Sequence, residues 1–322
     1  MATKRTKKKP ARAAASKRKS TTRTNKRAPA VHERRVLGVV TEAGAIQSRM
    51  MAARARGLTV GLVPTMGALH GGHAALLDEA RRRADVVVAS IFVNPKQFSP
   101  GEDLSRYPRP FEQDRALCDA CGVDVIFAPP VDEVYAAGCE TMVKAGPLAS
   151  MLEGAARPGH FDGVLTVVLS LFQMVQPHFA VFGEKDYQQL TIIRRMVRDF
   201  RLPVEIVPMP VIRDLDGLAL SSRNQYLSAD DRQRATVLYR ALMAAQDEAQ
   251  RGVTEAERFV RAARAVLDAE PAAAVDYVEV RHPKTLAQVP DLGTGARLLM
   301  AVQLGGVRLI DNGPLFAGVR FP

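Results

Sequence analysis

Between Thr59 and Val207 short β-branched runs alternate with stretches of helical composition, and that alternation leaves few folds open. Thr59–Val63 reads as a buried strand ended by Pro64. Val86–Val93 is a continuous apolar run of the kind buried on both faces of a parallel sheet, and Asp124–Ala128, Phe179–Phe182 and Val204–Val207 read as further strands. Helical segments lie between them at His73–Arg83, Phe111–Cys121, 163–176 and Tyr187–Phe200, with another at Thr41–Ala55 ahead of the first strand. Parallel strands need crossovers and helices supply them, so the pattern predicts a doubly wound, Rossmann-like parallel α/β sheet over residues 36–211. Ligands of such sheets bind beyond the carboxyl ends of the strands, which directs attention to loops 64–73, 94–110, 183–189 and the segment after 208. From about 212 the pattern changes. Helical stretches near 229–250 and 254–268 precede short strands near 275–281, 297–303 and 307–310, which predicts a second, smaller α+β domain over 212–322.

Charge is unevenly spread along the 322 residues. Of 45 Lys/Arg and 34 Asp/Glu, residues 1–35 hold 14 of the bases and one acid, Glu33. That segment carries +13 and the remainder −2, so the net +11 belongs to a basic leader on a near-neutral body. The leader has almost no large apolar residue before Val31 and cannot offset its chain entropy by burial, so a disordered extension is expected. It lacks the apolar core of a secretory signal. Its lysine clusters fit an Arg-rich organelle presequence poorly, and a cytoplasmic location is expected. Such a run attracts nucleic acid weakly and without sequence preference. The most apolar stretch, Val164–Val175, is interrupted by Thr166, Ser170 and Gln173 and is too short for a membrane span. Cys118, Cys121 and Cys139 form no even disulfide set, and Cys118-x-x-Cys121 has no second ligand pair for zinc, so both read as small core residues.

Four strings could carry chemistry. In Pro64-Thr65-Met66-Gly67-Ala68-Leu69-His70-Gly71-Gly72-His73 a strand ends, glycines let backbone approach a ligand, and a helix N-terminus offers free N–H groups to a phosphate. His70 and His73 fall on one side of that first turn, where each can donate a hydrogen bond or hold a proton near neutral pH. Gly183-Glu184-Lys185-Asp186 again joins a strand to a helix. Lys185 there supplies a fixed positive charge, with Gln189 one turn on as both donor and acceptor. Leu220-Ser221-Ser222-Arg223 suits a loop closing on phosphates. Asn94 and Gln97, just after the second strand, are uncharged hydrogen-bonders suited to a substrate with hydroxyl and carboxylate groups. No Walker A sequence, Gly-x-Ser-x-Gly elbow, His-Glu-x-x-His or Gly-x-Gly-x-x-Gly frame is present.

In this order the strings Pro-Thr-Met-Gly-Ala-Leu-His, Phe-Val-Asn-Pro-x-Gln-Phe, Phe-Gly-Glu-Lys-Asp-Tyr-Gln-Gln and Ser-Ser-Arg-Asn resemble the pantoate–β-alanine ligase (pantothenate synthetase) family of the His-x-Gly-His nucleotidyltransferase superfamily. The likeness runs from about Val39 to Leu315. Leu220 departs from the family's more usual Met, a change that conserves volume. The resemblance implies activation of (R)-pantoate by ATP as its adenylate, attack by the β-alanine amine, Mg²⁺ on the phosphates, and a homodimer. Carried over by residue, it implies ATP contacts from Met66, Gly67, Ala68, Leu69, His70, Gly71, Gly72, His73, Gly183, Glu184, Lys185, Asp186, Ile212, Leu220, Ser221, Ser222 and Arg223. It also implies that His73 stands in the family's proton-donor position, with His70 and Lys185 as further catalytic groups. Gln97 and Gln189 would hold pantoate, with Gln97 also near β-alanine. Two alternatives stay open on the residues alone: nucleotidyl transfer onto a phosphate-bearing substrate, and a binding role centred on the basic leader.

Overall fold

The predicted strands of the first part all form, and one more precedes them. The computed structural model describes residues 1–2, 37–293 and 295–317, so the extension expected over 1–35 lies, but for its first two residues, outside the described residues. The chain runs β1 (Gly38–Val40), α1 (Ala43–Ala55), β2 (Val60–Thr65), α2 (Gly71–Arg83), β3 (Val86–Ile91), α3 (Phe111–Ala120), β4 (Val125–Phe127) and the short α4 (Val131–Val134). It continues through α5 (Glu153–Ala156), α6 (His160–Val175), β5 (Phe179–Gly183), α7 (Tyr187–Asp199) and β6 (Glu205–Met209). These six strands pair in parallel in the order β1-β4-β3-β2-β5-β6. The chain winds outward from β2 through β3 and β4, then returns to lay β5 on the other side of β2. The direction of winding therefore reverses between β2 and β5, the place where an open α/β sheet presents its crevice.

Strand residues alternate between two helical layers, which is why these runs are apolar at most positions. Val60 and Leu62 face a core built with α1, α6 and α7, while Val63 faces a second core containing Leu77 and Ala80 of α2 and Cys118 of α3. All six of those side chains are fully buried. Burying one Val or Leu is worth ~1.5–3 kcal/mol, so a sheet covered on both faces is the outcome this pattern favours. α6 is covered along most of its length, with Val164, Leu165, Val168, Leu171 and Val175 buried. Among the described residues no helix is long and apolar enough to cross a membrane.

The later part contains α8 (Ala229–Arg234), α9 (Val237–Gln250), α10 (Ala256–Leu267) and the antiparallel strands β7 (Ala274–Arg281), β8 (Ala296–Leu304) and β9 (Val307–Leu315), in the order β7-β8-β9. Its core joins Ala241, Ala245 and Ala249 of α9 to Phe259 and Ala263 of α10 and to Leu298, Met300 and Val302 of β8. Two boundaries differ from expectation. The helix expected over 229–250 is interrupted at 235–236, where the Thr236 hydroxyl bonds the Gln233 carbonyl at 2.7 Å and competes with the helical ladder. The last strand runs to Leu315 through a polar Asp-Asn-Gly-Pro string. It can do so because β9 is an edge, where Pro314 needs no partner for a missing N–H.

Candidate active site

Thr65 ends β2 and starts the construction of the site. Its hydroxyl donates to the Ser90 carbonyl at 2.6 Å and accepts the Gly67 N–H at 3.2 Å, turning the chain sharply away from the sheet. Gly67 and Ala68 both take the left-handed conformation, with φ of 83° and 50°. The next two N–H groups, of Ala68 and Leu69, donate to the two carboxylate oxygens of Asp114 at 2.9 and 2.7 Å. The chain then enters α2 with His70 as its N-cap. Gly72 N–H donates to His70 Nδ1 at 3.1 Å, and His70 N–H donates to His73 Nδ1 at 3.3 Å, a reciprocal cap in which two imidazoles replace the usual hydroxyl and carboxylate.

That cap decides the protonation of both rings. Each Nδ1 is an acceptor, so each ring carries its proton on Nε2 and has one N–H donor left. The rings lie 4.2 Å apart. Burial, reinforced by the nearby Lys185 ammonium, lowers His70 to about 4. Burial and the adjoining His70 lower His73 to about 3. Near neutral pH both are therefore uncharged donors, which removes one of the two options the sequence left open.

Both rings line a cavity of about 230 Å³ beyond the carboxyl ends of β2, β3, β5 and β6. Met66 and Gly72 join them from the first loop, Asn94 and Gln97 from the second, and Gly183, Lys185, Asp186 and Gln189 from the third. Ile212, Leu220, Ser221, Ser222 and Arg223 close it from the segment after β6. Phe92, Val164, Val168, Leu171 and Phe182 form an apolar wall. The four strings thus meet at one place, although up to 157 positions separate them in sequence (Met66 to Arg223).

Not every residue expected at the site reaches the cavity. Gly67, Ala68, Leu69 and Gly71 stand behind it: the N–H groups of Ala68 and Leu69 are taken by Asp114, and Gly71 faces Leu220. Glu184 turns the other way, to Arg297 at 2.9 Å, while Asn312 of β9 donates to the carbonyls of Glu184 and Lys185. Asn94 borders the cavity but its amide is saturated. It donates to Gln97 Oε1 and the Gly163 carbonyl, and accepts from Lys96 N–H and the Tyr135 hydroxyl. It holds Gln97 rather than offering a group to substrate. Gln97 keeps donor capacity on Nε2, whose one partner among the described residues is the Met66 sulfur at 3.0 Å. The two adjacent glutamines divide their work. Gln188 is buried and ties the carbonyls of Leu148 and Met151 and the N–H of Glu153, whereas Gln189 has no such bond among the described residues and faces the cavity.

Several site residues escaped the sequence reading. His160, at the start of α6, bonds the Gln97 carbonyl through Nδ1 at 2.8 Å and meets Arg157 Nη1 through Nε2 at 3.0 Å. Arg157 can only donate, so His160 Nε2 accepts and Nδ1 carries the proton. Burial, then the Arg157 charge, lowers His160 to about 4. Arg157 is held by both oxygens of Glu102 at 2.8 and 2.6 Å. Arg223 is likewise engaged by both oxygens of Asp103 at 3.1 Å, and Ser222 meets the Tyr107 hydroxyl at 3.1 Å. A signal was present for His160: Pro158-Gly159-His160 repeats the glycine-then-histidine step of Gly72-His73 at the start of a helix. For Asp114, in the first turn of α3, the sequence carries none.

Comparison with known proteins gives a consistent result. Residues 38–314 match the family model described as pantoate-beta-alanine ligase. The chain is 55% identical over 254 residues to the pantothenate synthetase of Thermus thermophilus, covering 79% of this chain and 92% of that protein. It is 54% identical over 282 residues to the pantothenate synthetase of a Nocardioides species, covering 85% and 84%. The crystal structure of the Thermus thermophilus enzyme superposes with a TM-score of 0.83 at 50% identity, covering 87% of this chain and 99% of that one. That of Francisella tularensis pantoate-beta-alanine ligase, complexed with beta-gamma ATP and beta-alanine, gives 0.72 at 34% identity, covering 86% and 97%.

Proposed function

The chain belongs to the pantoate–β-alanine ligase family and catalyses the ATP-dependent condensation of pantoate with β-alanine, and we propose that the cavity between β2 and β5 carries both half-reactions. In the first, a carboxylate oxygen of (R)-pantoate attacks the α-phosphorus of ATP, pyrophosphate leaves, and pantoyl adenylate forms. In the second, the β-alanine amine attacks the acyl carbon, AMP departs, and the nitrogen loses a proton to give pantothenate.

The observation that carries this reading is the meeting, in one cavity, of two neutral imidazole donors and Lys185 with the amide groups of Gln97 and Gln189. Charge develops on phosphoryl oxygens during the first step, and donors already fixed in a site shielded from water stabilise it without reorganising. His70, His73 and Lys185 serve that role in this reading, with Ser221, Ser222 and Arg223 closing on the triphosphate. The amides suit the hydroxyl and carboxylate oxygens of pantoate, and the wall of Phe92, Val164, Val168 and Leu171 suits its methyl groups and keeps water from the adenylate. Among the described residues no three His, Cys, Asp or Glu side chains cluster as a metal cage, and Mg²⁺ enters this reading on the triphosphate, as MgATP. Nucleotidyl transfer to a phosphate-bearing substrate is less well supported, because the groups opposite the histidines are the uncharged amides of Gln97 and Gln189.

We further read residues 36–211 as an ATP- and pantoate-binding domain and 212–322 as a smaller domain over it, in a cytoplasmic homodimer as the family resemblance implies. The leader makes at most weak non-specific contact with nucleic acid. Pyrophosphate release measured with ATP alone, with pantoate, and with both substrates tests the assignment. Release should require pantoate, and AMP should accumulate on adding β-alanine. Turnover indifferent to pantoate would remove the ligase reading.

A further inference from the structure

We propose that Asp114 is a positioning residue for adenylate formation, its carboxylate holding the 67–69 turn that delivers His70 and His73 to the cavity. The proposal rests on the functional reading above.

Asp114 is 1% exposed, and no Lys or Arg among the described residues bonds it. An ionised side chain withdrawn from water without a cation is costly, and core packing alone would be served better by an apolar residue in that helix. What the carboxylate does have is one oxygen for each of two successive backbone donors, Ala68 N–H and Leu69 N–H. Those donors belong to a turn with two consecutive left-handed residues. Ala68 there is a non-glycine in a region that costs ~1 kcal/mol or more, so the surrounding contacts must impose the geometry.

The turn and the carboxylate are fitted to each other. A Cβ on Gly67 would stand 2.9 Å from Asp114 Oδ2, so glycine is required on steric as well as conformational grounds. The coupling to chemistry is short. Leu69 is followed by His70, whose N–H bonds His73 Nδ1 and whose ring caps α2 through Gly72. Tilting the peptide planes at 68–70 therefore shifts both rings and the helix N-terminus together. Gln97 and Gln189 stand on other segments, and Gln97 meets this string only at Met66, ahead of the turn. An amide at 114 presents a single acceptor oxygen and turns an NH₂ toward the second backbone donor, which disrupts the clamp while nearly conserving volume.

The test is pantoate-dependent exchange of labelled pyrophosphate into ATP, with thermal unfolding, for wild type, Asp114→Asn and Gly67→Ala. Asp114→Asn is expected to lower the exchange kcat by up to ~100-fold, the cost of misplacing reactive groups by about 1 Å, with pantoate KM within ~3-fold. Gly67→Ala, which pushes on the same clamp from the other side, should show the same split. An exchange kcat within ~3-fold of wild type for both, or pantoate KM rising in proportion to the loss in kcat, would overturn the proposal. Failure of both variants to accumulate as folded protein would also overturn it, by making the clamp a folding element. Absence of exchange in wild type would instead remove the functional reading itself.

Discussion

His70, His73 and His160 are held neutral by their surroundings, and this has a consequence for stability. In the unfolded chain each titrates near 6.5, whereas in the folded protein they are lowered to about 4, about 3 and about 4, with burial the leading cause in each case. Below pH 6.5 the unfolded chain takes up protons that the folded chain refuses, so the stability these residues contribute is complete above about 6.5 and is lost as pH falls toward their folded values. The unliganded protein should therefore unfold at progressively lower temperature from pH 7 to pH 4.5. His160→Gln, which cannot titrate, should fall less steeply than wild type. Identical slopes for the two would contradict the neutral assignment. Residue type alone does not name a role either. Gln188 and Gln189 are indistinguishable in sequence, yet only one faces the cavity, because neighbours on a helix point in directions about 100° apart.

At the level of elements, the Gln97 side of the cavity depends on how closely α6 approaches the turn at 95–97. Asn94 reaches Gly163 O, His160 reaches Gln97 O, and Gly163 stands where a Cβ would overlap the Lys96 carbonyl. Gly163→Ala should push the turn off the helix, destabilising the fold by ~1–3 kcal/mol and raising pantoate KM more than ATP KM. Unchanged thermal unfolding together with unchanged KM values would show that the contact can relax. α5 plays a comparable part on the opposite side. Glu153 accepts from Tyr277 at 2.8 Å and pairs with Arg308, and its N–H is held by Gln188, so the segment leading to Arg157 is pinned to the second sheet.

Across the whole molecule, the second sheet reaches back into the first through β9. Asp311, which is 2% exposed, pairs with Arg213 at 2.7 and 2.9 Å, and Asn312 holds the carbonyls of the turn bearing Lys185. The basic leader lies outside the 38–314 span of the family match. A chain beginning at residue 36 should retain kcat and both KM values within ~2-fold while losing any binding that weakens steeply with salt. A large loss of activity would give the leader a catalytic part.

The alternation of β-branched runs and helical segments determined the doubly wound sheet, because burial on both faces demands that pattern, and the glycine-rich string after Thr65 marked its ligand loop. Those are local properties, decided by a residue and its near neighbours. Tertiary structure alone decided that Asn94 spends its amide on its neighbours, that Glu184 turns away to Arg297, that both histidines of the cap are neutral, and that Asp114, His160 and Arg157 belong to the site. Each of these depends on which distant donor or acceptor occupies a hydrogen-bonding position, and that is settled only when segments far apart in sequence pack together.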